Sequence, residues 1–283
     1  MYEQLVEITT PSGVMDTIIT RPQDGGPFAP VILYMDIWGV REELYDIARK
    51  VGTVGYCCLV PDLYHRQGRV RHAFYDDNGR MITLESLSEE RKEMVRAPGR
   101  ELRDDMVVED TGAMLKMLAQ DRSVRPGPVG ALGYCMGGRH VFRVAGAYPD
   151  RFKANACLHG SDLVIAGNDS PHLSAAKSLG ELYCGYAEHD SYAAKPIIAA
   201  IADAMRSSQA VYQPVVHIGA EHGYALPDRD VYAKHAANRD WESIFAMFRR
   251  QLDRHSAKAG RQDGRRQGQH AHARQAEPLR TES

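Results

Sequence analysis

The chain lacks the features that would tie it to a membrane, to nucleic acid or to a disulfide framework. Its 283 residues include only 5 cysteines and 2 tryptophans. Cys57, Cys58, Cys135, Cys157 and Cys184 are odd in number and show no framework spacing, which argues for a reducing compartment. Cys57 and Cys58 are adjacent on a strand-like run, so their side chains point to opposite faces and form no chelate. No stretch approaches the roughly 18 uninterrupted apolar residues of a spanning helix. The opening MYEQLVEITTPSGV has no basic region followed by an apolar core, so no secretory signal is read. Charge of one sign is also missing. Lys and Arg number 35 against 37 Asp and Glu, a formal net charge of −2, which gives no global attraction to nucleic acid or an anionic membrane. The expectation is a cytoplasmic protein with neither as a partner.

What is present fits one large α/β domain, with 43% hydrophobic residues. Residues 3–9 and 14–21 read as a hairpin around Pro11-Ser12-Gly13. Val31–Tyr34 and Cys57–Val60 read as buried strands, with a helix through Leu44, Ile47 and Ala48 between them, ended by Gly52 and Gly55. Residues 64–99 are polar with few apolar anchors, and read as a surface excursion and a candidate lid. Leu102, Met106, Val107, Met114, Leu115 and Leu118 recur at helical spacing. Further strands are expected at Ala154–Leu158, Leu182–Tyr186 and Val215–Ile218, a helix at Ile197–Met205, and a last amphipathic helix from Trp241 to Leu252. Strands alternating with helices imply a mostly parallel sheet covered on both faces. The domain is expected to span residues 1–254. Residues 255–283, poor in large apolar side chains, read as a disordered tail, and His270-Ala271-His272 within it as solvated rather than metal-binding.

The most informative segment is Gly133-Tyr134-Cys135-Met136-Gly137. A strand-like run precedes it and a helix-like run follows, stopped near Pro149. This is the context of a nucleophile elbow, a sharp turn that lifts one reactive side chain above a sheet. Small residues are needed two positions either side of the nucleophile, because strand and helix backbones approach closely there. The alternative is an inert, buried cysteine beside a glycine-rich turn.

A cysteine nucleophile needs a base, and the base needs an orienting group. In α/β-hydrolases these follow in the order nucleophile, acid, histidine. After the strand at 182–186 the chain reads Ala187-Glu188-His189-Asp190, making Asp190 the candidate acid and Glu188 its competitor. After the strand at 215–218 it reads Glu221-His222-Gly223-Tyr224, making His222 the candidate base. An oxyanion would be met by the backbone N–H of Met136 and of Ile37, the latter in Asp36-Ile37-Trp38-Gly39. Trp38, His159 and Tyr224 are candidate pocket walls. No metal or organic cofactor is called for.

Taken together, these pieces resemble the dienelactone hydrolase family of α/β-hydrolases. The resemblance rests on Met35-Asp36-Ile37-Trp38-Gly39-Val40, on Gly55-Tyr56 through Val60-Pro61-Asp62-Leu63-Tyr64, on the elbow with Gly138, on the Asp190 and His222 loops, and on the closing Trp241 helix. It spans residues 5–252. It implies an α/β-hydrolase fold with an N-terminal antiparallel hairpin, a Cys135–His222–Asp190 triad, and hydrolysis of small-molecule esters or lactones of the dienelactone type by a monomer or small homo-oligomer. It also marks two departures. The family's defining enzymes carry Glu at the position of Asp36, where the carboxylate activates the thiol; Asp36 either keeps that role or caps its own loop. They also place Arg four residues after the histidine to grip a substrate carboxylate. Here that position is Leu226, and Arg229, Arg66, Arg69, Arg71 and Arg80 are not position-matched. The rival readings are a broad carboxylesterase or thioesterase on the same triad, a non-catalytic ligand-binding protein on this scaffold, and a redox-sensing thiol resolved by Cys157 or Cys184.

Overall fold

Period-two alternation in the first twenty residues folds as a hairpin. In the computed structural model, which describes residues 1–253, strands β1 (Tyr2–Thr10) and β2 (Gly13–Arg21) pair antiparallel with Tyr2 opposite Arg21. The remaining strands are β3 (Ala29–Tyr34), β4 (Tyr56–Pro61), β5 (Val129–Tyr134), β6 (Phe152–Leu158), β7 (Glu181–His189) and β8 (Val211–Glu221). They form one eight-stranded sheet in the order β1-β2-β4-β3-β5-β6-β7-β8. The β2–β4 pair is antiparallel, and every pair from β4 to β8 is parallel. Every residue of β3, β4 and β5 is buried. Continuous apolar runs of this kind belong to parallel strands covered on both faces.

The covering helices are α1 (Glu42–Thr53), α2 (Glu89–Glu101), α3 (Asp104–Leu118), α4 (Met136–Ala147), α5 (Pro171–Ala175), α6 (Lys195–Arg206) and α7 (Lys234–Phe248). This is the α/β-hydrolase arrangement with an N-terminal antiparallel hairpin. From β3 the chain steps one way to β4 and then back past β3 to β5. Such a reversal opens a crevice beyond the carboxyl ends of the two strands. The loop after β3 and the turn after β5 both empty into it.

Several elements differ in extent from their sequence signals. Helix α1 continues through Gly52 and ends at Thr53, and Gly55 (φ +102°) makes the turn into β4. Strands β7 and β8 run on to His189 and Glu221, because Ala187 pairs with His217 and His189 with Glu221 across a bulge. The segment at 64–99 contains α2, which periodicity did not mark: only Val95 and Pro98 of it are buried, and a proline stands in its last turn. Its start is conventional, since the Ser88 side chain accepts from Arg91 N–H and Glu89 and Glu90 fill the first turn. The segment is also less superficial than its polarity implies. Met81, Leu87 and Val95 are buried with Trp38 in a second, small apolar cluster. The expected disordered tail at residues 255–283, with His270-Ala271-His272 in it, lies outside the described residues.

The elbow is the tightest place in the fold. A Cβ added to Gly133 would lie 2.1 Å from the Gly137 carbonyl oxygen, and one added to Gly137 would lie 2.2 Å from that of Tyr34. Neither obstacle is a movable side-chain end, so strand β3, strand β5 and helix α4 can approach this closely only around glycine. Gly137→Ala is expected to destabilise the domain by about 3 kcal/mol or more, as overpacking against backbone does. A urea titration followed by circular dichroism measures it.

Candidate active site

Cys135 sits between β5 and α4 with φ 53° and ψ −117°. A non-glycine residue holds such a conformation only where its surroundings over-determine it. Here the glycine-tight crossing of β3, β5 and α4 does so, and the Cys135 side chain opens onto a cavity of about 760 Å³. The N-terminus of α4 points at the same place, and the Met136 N–H and Ile37 N–H are both on the cavity wall. Among the described residues neither N–H donates a hydrogen bond within the protein.

Asp190 and His222 are brought together by strand pairing. Because His189 and Glu221 are paired across β7 and β8, the next residue of each strand emerges beside the other. His222 Nδ1 and Asp190 Oδ2 are 2.7 Å apart. The other carboxylate oxygen, Oδ1, accepts the Tyr192 N–H at 2.9 Å, which fixes the plane of the group. Glu188 is engaged elsewhere: it accepts the Gly219 N–H at 2.8 Å, at the exposed end of β7. The Asp190 contact leaves His222 Nε2 as the free ring nitrogen, buried and without a nitrogen or oxygen partner. The side chains of His222 and Cys135 line the same cavity. Burial opposes a charge on His222, but a negative sulfur at 135 and the hydrogen bonds to Asp190 and Cys135 outweigh it and push its pKa up to about 10.

His159 lies under His222, its ring centroid 5.0 Å away and edge-on. It is fully buried with both ring nitrogens unpartnered. Burial first, then the nearby charges of His222 and Arg229, hold its pKa well below the ordinary value, so the ring is neutral. Trp38 also lines the cavity, but the third candidate wall, Tyr224, does not. The Tyr224 hydroxyl donates to Asp240 at 2.6 Å, together with that of Tyr183 at 2.6 Å, and this draws the ring into the core beneath His159. Gly223 and Leu226 face the cavity in its place.

Asp36 is buried and doubly held. Its Oδ1 accepts the Trp38 N–H at 3.1 Å, and both oxygens receive Arg41, at 2.8 and 2.9 Å. Arg41 also binds Asp228 at 2.6 Å. The arrangement caps the loop after β3 and bolts it to the loop after β8. Sequence reading passed over Arg41, because an arginine two residues after a glycine carries no motif. It also passed over Tyr192, which follows Asp190 on the cavity wall, and over Ser161, whose Oγ is 3.8 Å from Cys135 Sγ.

The arginines divide clearly. Arg66 is committed to Asp110 and Arg69 to Asp16, and neither these nor Arg71 and Arg80 reach the cavity. Arg139 and Arg143 face it but share Asp104, at 2.8 and 2.6 Å. Arg229 is different. It is 5% exposed, lies over the Trp38 ring at 4.8 Å, donates to the Ile82 carbonyl at 3.4 Å, and meets no carboxylate among the described residues. Its Nε has no partner at all. Cys157 and Cys184 are opposite one another on β6 and β7 and fully buried. No group of three or more metal-ligating side chains occurs among the described residues, and no helix there is long and apolar enough to cross a membrane.

With this geometry in hand, comparison with known proteins is direct. The sequence profile of the dienelactone hydrolase family matches residues 15–252. The chain belongs to that family. A Synechocystis sp. protein named "Putative carboxymethylenebutenolidase" is 26% identical over 241 residues, covering 83% of this chain and 91% of the relative. An Escherichia coli K12 protein of the same name is 27% identical over 236 residues, covering 81% and 80%. Among solved structures, a Klebsiella pneumoniae protein described as a "Putative Dienelactone Hydrolase" superposes with a TM-score of 0.73 at 23% identity, over 88% of this chain and 99% of that one. At that identity the superposition speaks for the α/β-hydrolase fold. The family match makes the chain a dienelactone hydrolase-like hydrolase.

The Asp36–Arg41 pair carries a stability consequence. Arg41→Ala would leave a buried carboxylate facing only one N–H, and is expected to cost about 3–5 kcal/mol. Equilibrium unfolding in urea, compared with Asp36→Asn and with the double variant, measures it; a double variant more stable than Arg41→Ala alone is the expected sign of a stranded charge.

Proposed function

We propose that the chain hydrolyses activated carboxylic esters or enol-lactones through Cys135, His222 and Asp190, by way of a thioester. The observation that carries this reading is the His222 ring, hydrogen-bonded through Nδ1 to Asp190 and lining the same cavity as the Cys135 side chain. A free cysteine is only a few per cent thiolate at neutral pH. A proton passed from the sulfur to His222 Nε2 raises that fraction, and the positive end of α4 favours the same change.

The thiolate attacks the acyl carbonyl, and the resulting oxyanion is met by the N–H groups of Met136 and Ile37. Loss of one such donor costs about 3–4 kcal/mol of barrier lowering in comparable sites. As the tetrahedral species collapses, the C–O bond to the leaving group breaks and His222 returns its proton to that oxygen. In a lactone the leaving oxygen stays tethered within the product. A thiolate is itself a good leaving group, so stabilised enolates and aryl oxides complete this step better than simple alkoxides. That chemistry favours enol-lactones and activated esters over peptides and alkyl esters.

The second half of the cycle depends on how the charge of His222 is set. The largest influence raising its pKa is the negative sulfur. Acylation removes that charge, leaving burial to oppose protonation and Asp190 to support it. The ring is thereby released as a neutral base, able to take a proton from the water that cleaves the thioester. Asp36, held by Arg41, serves in this reading as a loop cap rather than as the thiol's base. Arg229, buried at the cavity wall without a carboxylate partner among the described residues, is a cation available to an anionic group on the acyl part of the substrate.

Cys135→Ala and His222→Ala are each expected to abolish turnover of p-nitrophenyl acetate and of dienelactone while leaving the circular dichroism spectrum unchanged. Turnover surviving in either would reject the role given to that residue. Asp190→Asn should slow turnover far more than Glu188→Gln; the reverse order would move the acid to Glu188. A broad carboxylesterase or thioesterase would prefer the aryl ester or an acyl thioester to dienelactone in the same assay. A binding protein would show saturable binding without turnover, indifferent to alkylation of the thiol. The pH argument has its own measurement. The His222 ring, followed by NMR, should titrate near pH 10 in the wild type. It should titrate well below that in Cys135→Ala, because removing a negative neighbour disfavours the imidazolium. An unmoved titration would break the coupling on which the cycle rests.

A further inference from the structure

The chain leaving β6 is fastened to the elbow from both sides. Cys135 N–H donates to the Leu158 carbonyl at 3.1 Å, and Ser161 N–H donates to the Cys135 carbonyl at 3.1 Å. Along this short path His159 (φ 38°) and Asp162 (φ 50°) both take left-handed backbone that non-glycine residues seldom adopt. Gly160 between them has no room for a side chain, since a Cβ there would lie 2.5 Å from the Cys157 sulfur. Strain of this kind persists where surrounding contacts over-determine it, and it clusters at working sites. Its outcome here is the placement of one hydroxyl. Ser161 is 7% exposed, and its Oγ stands 3.8 Å from Cys135 Sγ. Among the described residues that sulfur is the only side-chain or backbone partner of the hydroxyl.

Resting on the reading of Cys135 as nucleophile, we propose that the Ser161 hydroxyl is the hydrogen-bond partner of the sulfur in both of its states, accepting from the thiol and donating to the thiolate. The S–H proton goes to His222 Nε2, and the hydroxyl keeps its own and turns about its C–O bond, so nothing else is gained or lost. A neutral hydroxyl gains from this exchange because a hydrogen bond to an ionised acceptor is stronger than one to a neutral group. The carboxylate that could have filled the role, Asp36, has both oxygens occupied by Arg41 and Trp38 N–H. The other titratable groups facing the sulfur come from four elements: Tyr64 after β4, Cys157 on β6, Tyr192 after β7 and His222 after β8. Of these, His222 alone brings a positive charge. Ser161 therefore supplies directional hydrogen bonding and His222 the charge.

The test is the rate of Cys135 alkylation by iodoacetamide as a function of pH, with the modified residue identified by peptide mass. The wild type is compared with Ser161→Ala, with Ser161→Gly as a second hydroxyl-free variant and Ser161→Thr as the variant that keeps the hydroxyl. Removing a donor to the thiolate disfavours the ionised form. Ser161→Ala should thus move the inflection to higher pH and lower the rate at pH 7 by about five- to tenfold, the size of a modest hydrogen bond to a charged group. Ser161→Thr should stay within about twofold of the wild type, since it keeps that hydrogen bond. Hydroxyl-free variants that follow the wild-type profile would overturn the proposal, as would a threonine variant displaced as far as alanine. Ester turnover surviving in Cys135→Ala would instead reject the nucleophile assignment, and the alkylation profiles would still report the contact between hydroxyl and sulfur.

Discussion

The crossing of three backbones at the elbow sets the terms for everything above it. Strand β3, strand β5 and helix α4 meet with no space for a Cβ at Gly133 or Gly137. The residue between them cannot relax into ordinary strand or helix, so Cys135 is held at φ 53° with its side chain pointing out of the sheet. The same crossing aims the start of α4 at the cavity and leaves the Met136 N–H without a helical partner, as the first residue of any helix must be. The proposed nucleophile, the helix dipole and the proposed oxyanion donor thus follow from a single packing constraint. None of them requires a residue chosen for that purpose beyond the cysteine itself.

The other half of the site depends on a different device, the register of two parallel strands. The bulge between β7 and β8 matches His189 to Glu221, so Asp190 and His222 leave their strands side by side. A one-residue slip would send one of them to the opposite face. Asp240 supports this register from below by collecting the Tyr183, Tyr224 and His217 side chains. Tyr224 then carries His159, and His159 carries His222, ring against ring. A fully buried carboxylate with three donors is rigid because losing any one donor would leave charge unsatisfied. That rigidity reaches the imidazole by packing.

What the sequence made legible follows from which interactions are local. The elbow glycines, the parallel-strand runs and the order of cysteine, acid and histidine are written in adjacent or regularly spaced residues. Each could be read without knowing what lies across the molecule. Helix α2 could not, because it is anchored through Val95 and Pro98 alone and its other faces are polar. Tyr224 was misplaced for the same reason: its partner, Asp240, is a helix residue with no sequence signal. Asp36 was left between two roles because its neighbour Arg41 had no evident function. Only the fold reveals that Arg41 spans from Asp36 to Asp228, between two loops far apart in sequence. The role of Arg229 was likewise hidden, since what marks it is burial over Trp38 at the cavity wall with no carboxylate partner among the described residues, rather than a motif.

The site keeps several of its charges in separate compartments, and in the proposed cycle this separation lets one histidine do two jobs. Asp36 and Asp228 are tied to Arg41, and Asp104 is tied to Arg139 and Arg143, so these carboxylates are neutralised locally. His159, the ring closest beneath His222, is held neutral by burial. The influences that raise the pKa of His222 are the sulfur on one side and Asp190 on the other. In the proposed cycle Asp190 stays constant, whereas the sulfur alternates between thiolate and thioester. A further formal charge close to the ring would add a fixed bias and blunt the swing that acylation produces. A hydroxyl beside the sulfur avoids that: it stabilises the thiolate through its dipole and adds no net charge for the imidazole to sense. An Asp36 carboxylate free of Arg41 and placed beside the thiol would instead add a second negative charge for His222 to sense. The bidentate clamp of Arg41 on Asp36 and the contact of Ser161 with Cys135 are in this sense two parts of one electrostatic design.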